Sequence, residues 1–230
     1  MGAAPGLNPA LVSSSATLAV YDWTTPSTMT AGAGGPVSNG STIALVPNVK
    51  SPGTLDLGQT VAGDRPTYTN GAIHDGVSDF LRVPFTANTG PANATLVYVV
   101  KTSDTQFMLG GTDDAGQFYA AAEDGNASTA SWAGSAAYYA NSSLISAGLA
   151  TRNEVRDAWA TGSAVVARVQ AAAFQSPTIS DIRNSYSGAG FFINGNCMLI
   201  AILNASDGNY STAIALAEAE AARVISALGL

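Results

Sequence analysis

Residues 66–85, PTYTNGAIHDGVSDFLRVPF, constrain the fold of this chain more than any other stretch. A Thr/Tyr-rich run over 66–69 meets Asn70-Gly71, and Asp75-Gly76 supplies a second turn. Val77, Leu81, Val83 and Phe85 then space apolar residues along the run that follows. Asn-Gly and Asp-Gly pairs beside β-branched and aromatic residues are the strongest short-range hairpin signal a sequence carries. The stretch therefore predicts a strand-turn-strand unit in a β protein.

The rest of the chain has the composition to build a core around that unit. Hydrophobic residues make up 47% of the 230, while charged residues are only 11%, against about 25% in ordinary globular chains. Disordered chains show the opposite combination. The length suits one large β domain or two small ones. The absence of a fixed-period repeat favours one domain over 16–230 behind an arm, 1–15, that holds Pro5 and Pro9. The arm is expected to be extended, lying along this domain or docking on a neighbour.

Net charge is −7, and the cations are two lysines (Lys50, Lys101) and seven scattered arginines. A chain without a basic stripe is a poor partner for phosphate backbones or anionic lipid. Cys197, the only cysteine, sits in an apolar run and reads as a small buried hydrophobe; one cysteine builds neither an intrachain disulfide nor a multi-cysteine zinc site. Six Asn-x-Ser/Thr triplets, at Asn39, Asn93, Asn126, Asn141, Asn204 and Asn209, read as turns. The opening MGAAPGLNPALVSSSATLAV has no basic n-region, so no secretory signal is expected. No apolar run approaches the ~20 residues that span a bilayer. The protein is expected to stay where it is made, or to leave inside a particle or on lysis.

In order, a first strand is predicted over 16–23, a Gly/Pro-rich loop with AGAGG at 31–35, and an edge or bulged strand over 42–49, because Pro47 cannot donate to a ladder. A buried strand follows over 94–101, then a hairpin of 106–109 with 117–121. RNEVRDAWA at 152–160 reads as a strand, with a single helical turn as the alternative, and 163–170 as a clear strand. Residues 191–193 and 197–203 bracket Asn194-Gly195, another hairpin signal. The final element is a helix over 211–228, with Ile214, Ala217, Ala221, Val224, Ile225 and Leu228 at helical spacing, Ser211 or Thr212 as cap and Gly229 as stop.

Several of these stretches share a pattern. A tryptophan-bearing strand (Tyr21-Asp22-Trp23), a polar excursion, Pro66-Thr67-Tyr68, and then Asp-Gly-Val-x-Asp-x-Leu resemble the concanavalin A-like (laminin-G-like) jelly rolls of phage particle proteins. An apolar strand, a short polar link and an Ala/Glu helix ending in Leu-Gly-Leu resemble that family's close, although an aromatic usually stands where Leu228 does. The resemblance implies an all-β sandwich of two antiparallel sheets with a C-terminal helix. It also implies that 152–160 and 163–170 pair as a hairpin of the back sheet. Its functional implication is a non-enzymatic structural or adhesion protein on the exterior of a phage or phage-like particle, as a head decoration, fibre or spike component. Such a protein would be made in the host cytoplasm, would partner other virion proteins and copies of itself, and would touch host polysaccharide. A stand-alone lectin domain is the alternative, and a degenerate glycoside hydrolase a third.

The residues themselves weigh these readings. Retaining glycosidases need two carboxyl groups about 5 Å apart, placed in hydrolases of this fold by Glu-x-Asp-x-Glu. The four glutamates, Glu123, Glu154, Glu218 and Glu220, do not form that motif. His74, the only histidine, reads as a polar turn residue rather than a catalytic base. No catalytic residue and no cofactor are expected. Asp113, Asp114 and Asp124, with Glu123, Asp75 and Asp79, are candidate calcium oxygens, yet they match no defined calcium loop. Trp132, Tyr138 and Tyr139, joined by Phe118, Tyr119 and Trp159, are candidate platforms for sugar rings. Core packing or a subunit interface is the competing role for these rings.

Overall fold

The structure is a computed structural model that describes residues 6–75, 78, 81–84, 93–111, 118–130, 136–173, 181–183 and 194–230. In chain order its first elements are α1 (Pro9–Ser13), β1 (Thr17–Asp22), β2 (Thr30–Ala31), β3 (Ile43–Val46), β4 (Leu57–Gly58), β5 (Thr67–Tyr68), β6 (Ala72–Asp75) and β7 (Arg82–Pro84). Then come β8 (Asn93–Thr102), β9 (Gln106–Gly111), β10 (Phe118–Glu123), β11 (Ala137–Ala140), β12 (Ser143–Leu144) and α2 (Arg152–Trp159). The last are β13 (Ala164–Ala173), β14 (Asp181–Arg183), β15 (Asn194–Asn204) and α3 (Tyr210–Leu228). The protein is mostly β, with antiparallel sheets and a C-terminal helix.

An eight-stranded sheet runs β12-β11-β13-β8-β15-β6-β5, with β1 also on β15. β15 is paired with β8 along one edge and shares its other edge between β6 at its start and β1 at its end. A five-stranded sheet runs β14-β7-β4-β3-β2, and β9 and β10 form a separate ribbon. The β5–β6 hairpin turns at Asn70-Gly71 with φ of 55° and 146°. Of the strand predicted after Asp75, Val77 and Phe85 lie outside the described residues and β7 lies in the five-stranded sheet, so β5 and β6 belong to one sheet and β7 to the other.

The central strands are apolar throughout because both of their faces are buried. Leu96, Tyr98 and Val100 of β8, with Ile200 and Ile202 of β15, join Ile43, Val46 and Leu57 of the smaller sheet in one core. Val97, Val99, Leu199, Ala201 and Leu203 point the other way, under α3. The helix meets them with Ala213, Ala217, Ala221 and Val224, a small-residue face that lets it lie close to the sheet. Every second residue of β8 thus enters one core or the other, as strand alternation requires.

Five expectations are corrected or refined. Residues 152–160 form α2, and not a strand paired with 163–170. Thr151 and Glu154 make a reciprocal capping box that starts the helix, and Val155 and Trp159, one turn apart, form its buried face. Asn194-Gly195 is not a turn but the start of the eleven-residue strand β15. A Cβ at Gly195 would lie 2.5 Å from the Lys101 carbonyl oxygen, so the glycine serves close strand approach. Of the edge or bulged alternatives for 42–49, β3 is the bulged one: β2 and β4 flank it, its pairing with β2 skips Ala44, and it stops before Pro47 instead of containing it. The helix begins at Tyr210 with Asn209 as its N-cap residue, while Gly229 closes it at φ 66° as expected. Within the stretch expected to be extended, Pro9–Ser13 make one helical turn. Asn8 caps it, Pro9 occupies the first turn, and Leu11 is buried in the core beneath α3. Lys50 holds this segment by donating to the carbonyls of Ser14 (2.6 Å) and Thr17 (2.5 Å).

Burial also sets the alkaline limit of the fold. It pushes the Cys197 thiol up from 9.0 to about 12 and raises the Tyr98 phenol well above its ordinary value. Burial, and secondarily Asp56, raises Tyr21 likewise. The unfolded chain releases these protons first, so their stabilisation is complete below about pH 9 and is lost as pH climbs toward 12. The urea midpoint is expected to hold from pH 7 to about 8.5 and then fall, each group contributing a slope of about 1.4 kcal/mol per pH unit. A flat midpoint between about pH 9 and 11 would contradict it.

Candidate functional site

Among the described residues, the aromatic candidates Tyr138, Tyr139 and Trp159 do not share one surface. β11 sends adjacent tyrosines to opposite faces. Tyr138 is 2% exposed and packs edge-on against Trp159, with centroids 6.1 Å apart and planes at 64°. Trp159 is fully buried and donates its Nε1–H to the Tyr139 carbonyl at 3.0 Å. Tyr138 and Trp159 are core residues. Tyr139 is half-buried on the helix side, where the Arg168 guanidinium lies 3.6 Å from its ring centre. Trp132 lies outside the described residues, and Phe118 and Tyr119 fall on β10.

The candidate calcium oxygens fare similarly. Asp124 pairs with Arg156, Glu123 pairs with Arg152 at 3.0 Å, and Asp75 accepts the Ser78 amide at 2.9 Å. The two ion pairs tie β10 to α2. Asp79, Asp113 and Asp114 are outside the described residues. Among the described residues no group of three or more His, Cys, Asp or Glu side chains is arranged to hold a metal. His74, expected at a turn, is instead fully buried on β6. Glu218 and Glu220, far from any catalytic pairing, secure α3: Glu218 meets Arg168 at 2.7 Å, and Glu220 meets Arg223 and the Asn8 amide.

A different site emerges on the smaller sheet. Ala44 and Leu45 of β3 and Gly58 of β4 form an apolar floor, with Thr30 of β2 beside it. The irregular passage after β4 adds Gln59, Thr60 and Arg65, and Asp56 precedes the strand. Together they line an open groove of about 630 Å³, within the roughly 300–1,000 Å³ typical of small-molecule sites.

Arg65 is built into this groove. Its Nε donates to the Gln59 carbonyl (3.0 Å), Nη1 to Gly32 (3.3 Å) and Nη2 to Thr60 (3.0 Å). These bonds occupy three of five N–H donors and hold the guanidinium rigid. Gly32, from the AGAGG run, makes room for it: a Cβ there would lie 2.9 Å from Arg65 Nη1 and 2.3 Å from Thr42 Oγ1. Arg152, Arg156, Arg168 and Arg223 each pair with a carboxylate. Among the arginines with described side chains, Arg65 alone does not.

Its neighbours are polar and only partly satisfied. Gln59 is 5% exposed; its Oε1 accepts the Val61 amide at 3.0 Å, while its Nε2 is buried with no acceptor. A buried donor left unbonded costs about 1–3 kcal/mol, which makes it a feature to explain. Asp56 accepts from the amides of Asn48 (2.9 Å) and Gly53 (3.0 and 3.1 Å), leaving lone pairs on its outer oxygen. The groove is thus lined by a fixed cation, a carboxylate and two threonines beside Ala44, Leu45 and Gly58, with the Gln59 amide nitrogen sealed behind them.

A second groove of about 360 Å³ joins Thr69, Asn70, Ile73 and Lys101 to Leu228 and Leu230 at the end of α3. Among the described residues no helix is long and apolar enough to cross a membrane. No family model, curated protein or solved structure matches this chain.

Proposed function

We propose that this protein is a non-enzymatic adhesion module that binds glycans in the Arg65 groove, on a concanavalin A-like jelly-roll sandwich. The groove's chemistry carries the reading. Sugars present hydroxyls that both donate and accept, over faces of C–H groups. Thr30, Thr60, Gln59 and Asp56 answer the former, and Ala44, Leu45 and Gly58 the latter. The resemblance of 16–23, 66–85 and the terminal helix supplies the setting: the exterior of a phage or phage-like particle, beside other virion proteins and copies of this chain.

The test is an array of bacterial surface polysaccharides probed with the unaltered protein and with Ala44→Trp, which fills the groove floor. Binding is expected for a subset of glycans, weakened at least about tenfold (~1.4 kcal/mol) by Ala44→Trp. Bound glycans are expected to be recovered at unchanged mass. An empty array, binding that ignores Ala44→Trp, or shortened glycans would overturn the proposal.

A further inference from the structure

We infer that the ligand of this groove carries a carboxylate: an acidic sugar of the uronic acid class, received by Arg65. The inference rests on the glycan reading above and narrows it. Among the arginines with described side chains, Arg65 is the one without a carboxylate partner, although the chain's acidic residues outnumber its basic ones by sixteen to nine. Its three backbone acceptors fix the guanidinium plane, and among the described residues no carboxylate lies within ion-pair distance of it. A rigid guanidinium with two free N–H groups matches a planar carboxylate. Gln59 lines the same groove, and its Nε2–H is buried behind that surface without an acceptor.

Asp56 decides what else the ligand must be. Its carboxylate lines the same groove, which disfavours densely charged phosphate or sulfate polymers through like-charge repulsion. It favours a molecule that offers hydroxyl donors beside a single anionic group. A uronic acid residue has that combination, with its hydroxyls to Asp56, Thr30 and Thr60 and its carboxylate to Arg65.

Calorimetric titration with oligosaccharides of galacturonate, glucuronate and mannuronate, each beside its carboxyl-reduced form, tests this directly. At least one acid is expected to bind about tenfold or more tightly than its reduced counterpart. Arg65→Gln is expected to erase that preference. Because Arg65 also fixes the surrounding loop, a wild-type measurement stands beside the variant. Raising salt from about 50 to about 500 mM should weaken the acid several-fold and leave a neutral ligand unchanged. Equal or tighter binding of the reduced form, or salt-independent binding of the acid, would overturn the inference while leaving a glycan-binding groove in place. Binding of neither form would overturn both. An acidic peptide that competes for the groove as well as the sugar would overturn the assignment to sugars.

Discussion

Replacing Trp159 by alanine is expected to lower the unfolding free energy by about 3–5 kcal/mol. The side chain is fully buried between α2 and the large sheet. It packs edge-on against Tyr138, and its Nε1–H is the donor that reaches the Tyr139 carbonyl. Truncation removes the ring, leaves a cavity where two elements meet, and orphans that carbonyl. Trp159→Phe separates the contributions: it keeps most of the ring but loses the hydrogen bond, and should cost about 1–2 kcal/mol. Urea unfolding followed by far-ultraviolet circular dichroism measures both. A loss below about 1 kcal/mol for Trp159→Ala would show that α2 is not anchored by this residue.

The second large effect is expected at the other face of the same sheet. Arg168 of β13 is 7% exposed, stacked over Tyr139 and paired with Glu218 of α3 at 2.7 Å. Ser142 donates to the second Glu218 oxygen at 2.9 Å, and the Tyr210 hydroxyl bonds that of Thr95 nearby. Glu218→Ala strands a buried guanidinium and should cost about 3 kcal/mol. Combining Arg168→Met with Glu218→Leu should recover most of that loss, since apolar groups of similar volume replace a buried pair at little cost. A double variant as unstable as Glu218→Ala would show that the pair contributes more than its charge balance.

These two residues illustrate what could be read in advance. The terminal helix was legible because its apolar residues recur at helical spacing and Gly229 follows them. The Asn70-Gly71 turn was legible because positive φ is a local demand that few residues meet. RNEVRDAWA misled because nine residues sample too few turns to separate periods. The signal that would have decided it was Thr151 three residues before Glu154, a capping box. Asn194-Gly195 misled for another reason. A glycine that allows a close strand approach and a glycine that allows a turn are the same letter, and only the neighbouring Lys101 carbonyl distinguishes them.

The candidate site was the least legible part. Its residues come from 30, 44–45, 56, 58–60 and 65, and no spacing joins them. Arg65 itself carried one faint signal, as an isolated cation in an irregular passage of a chain with few cations. Tyr138 and Tyr139 do not share a platform because strand alternation divides them. That division follows only once β11 is known to be a strand with its first face inward.

By itself the sequence determined the β character of the chain, the positions of its strongest strands, the closing helix and the inert, buried state of Cys197, because these depend on local periodicity, turn chemistry and hydrophobicity. Tertiary structure alone decided which strands share a sheet, which elements cover the two faces of β8 and β15, and that four arginines find carboxylates while Arg65 keeps an open groove. Those outcomes depend on contacts between residues far apart in the chain, where burial and electrostatics act through space and leave no periodic trace in the sequence.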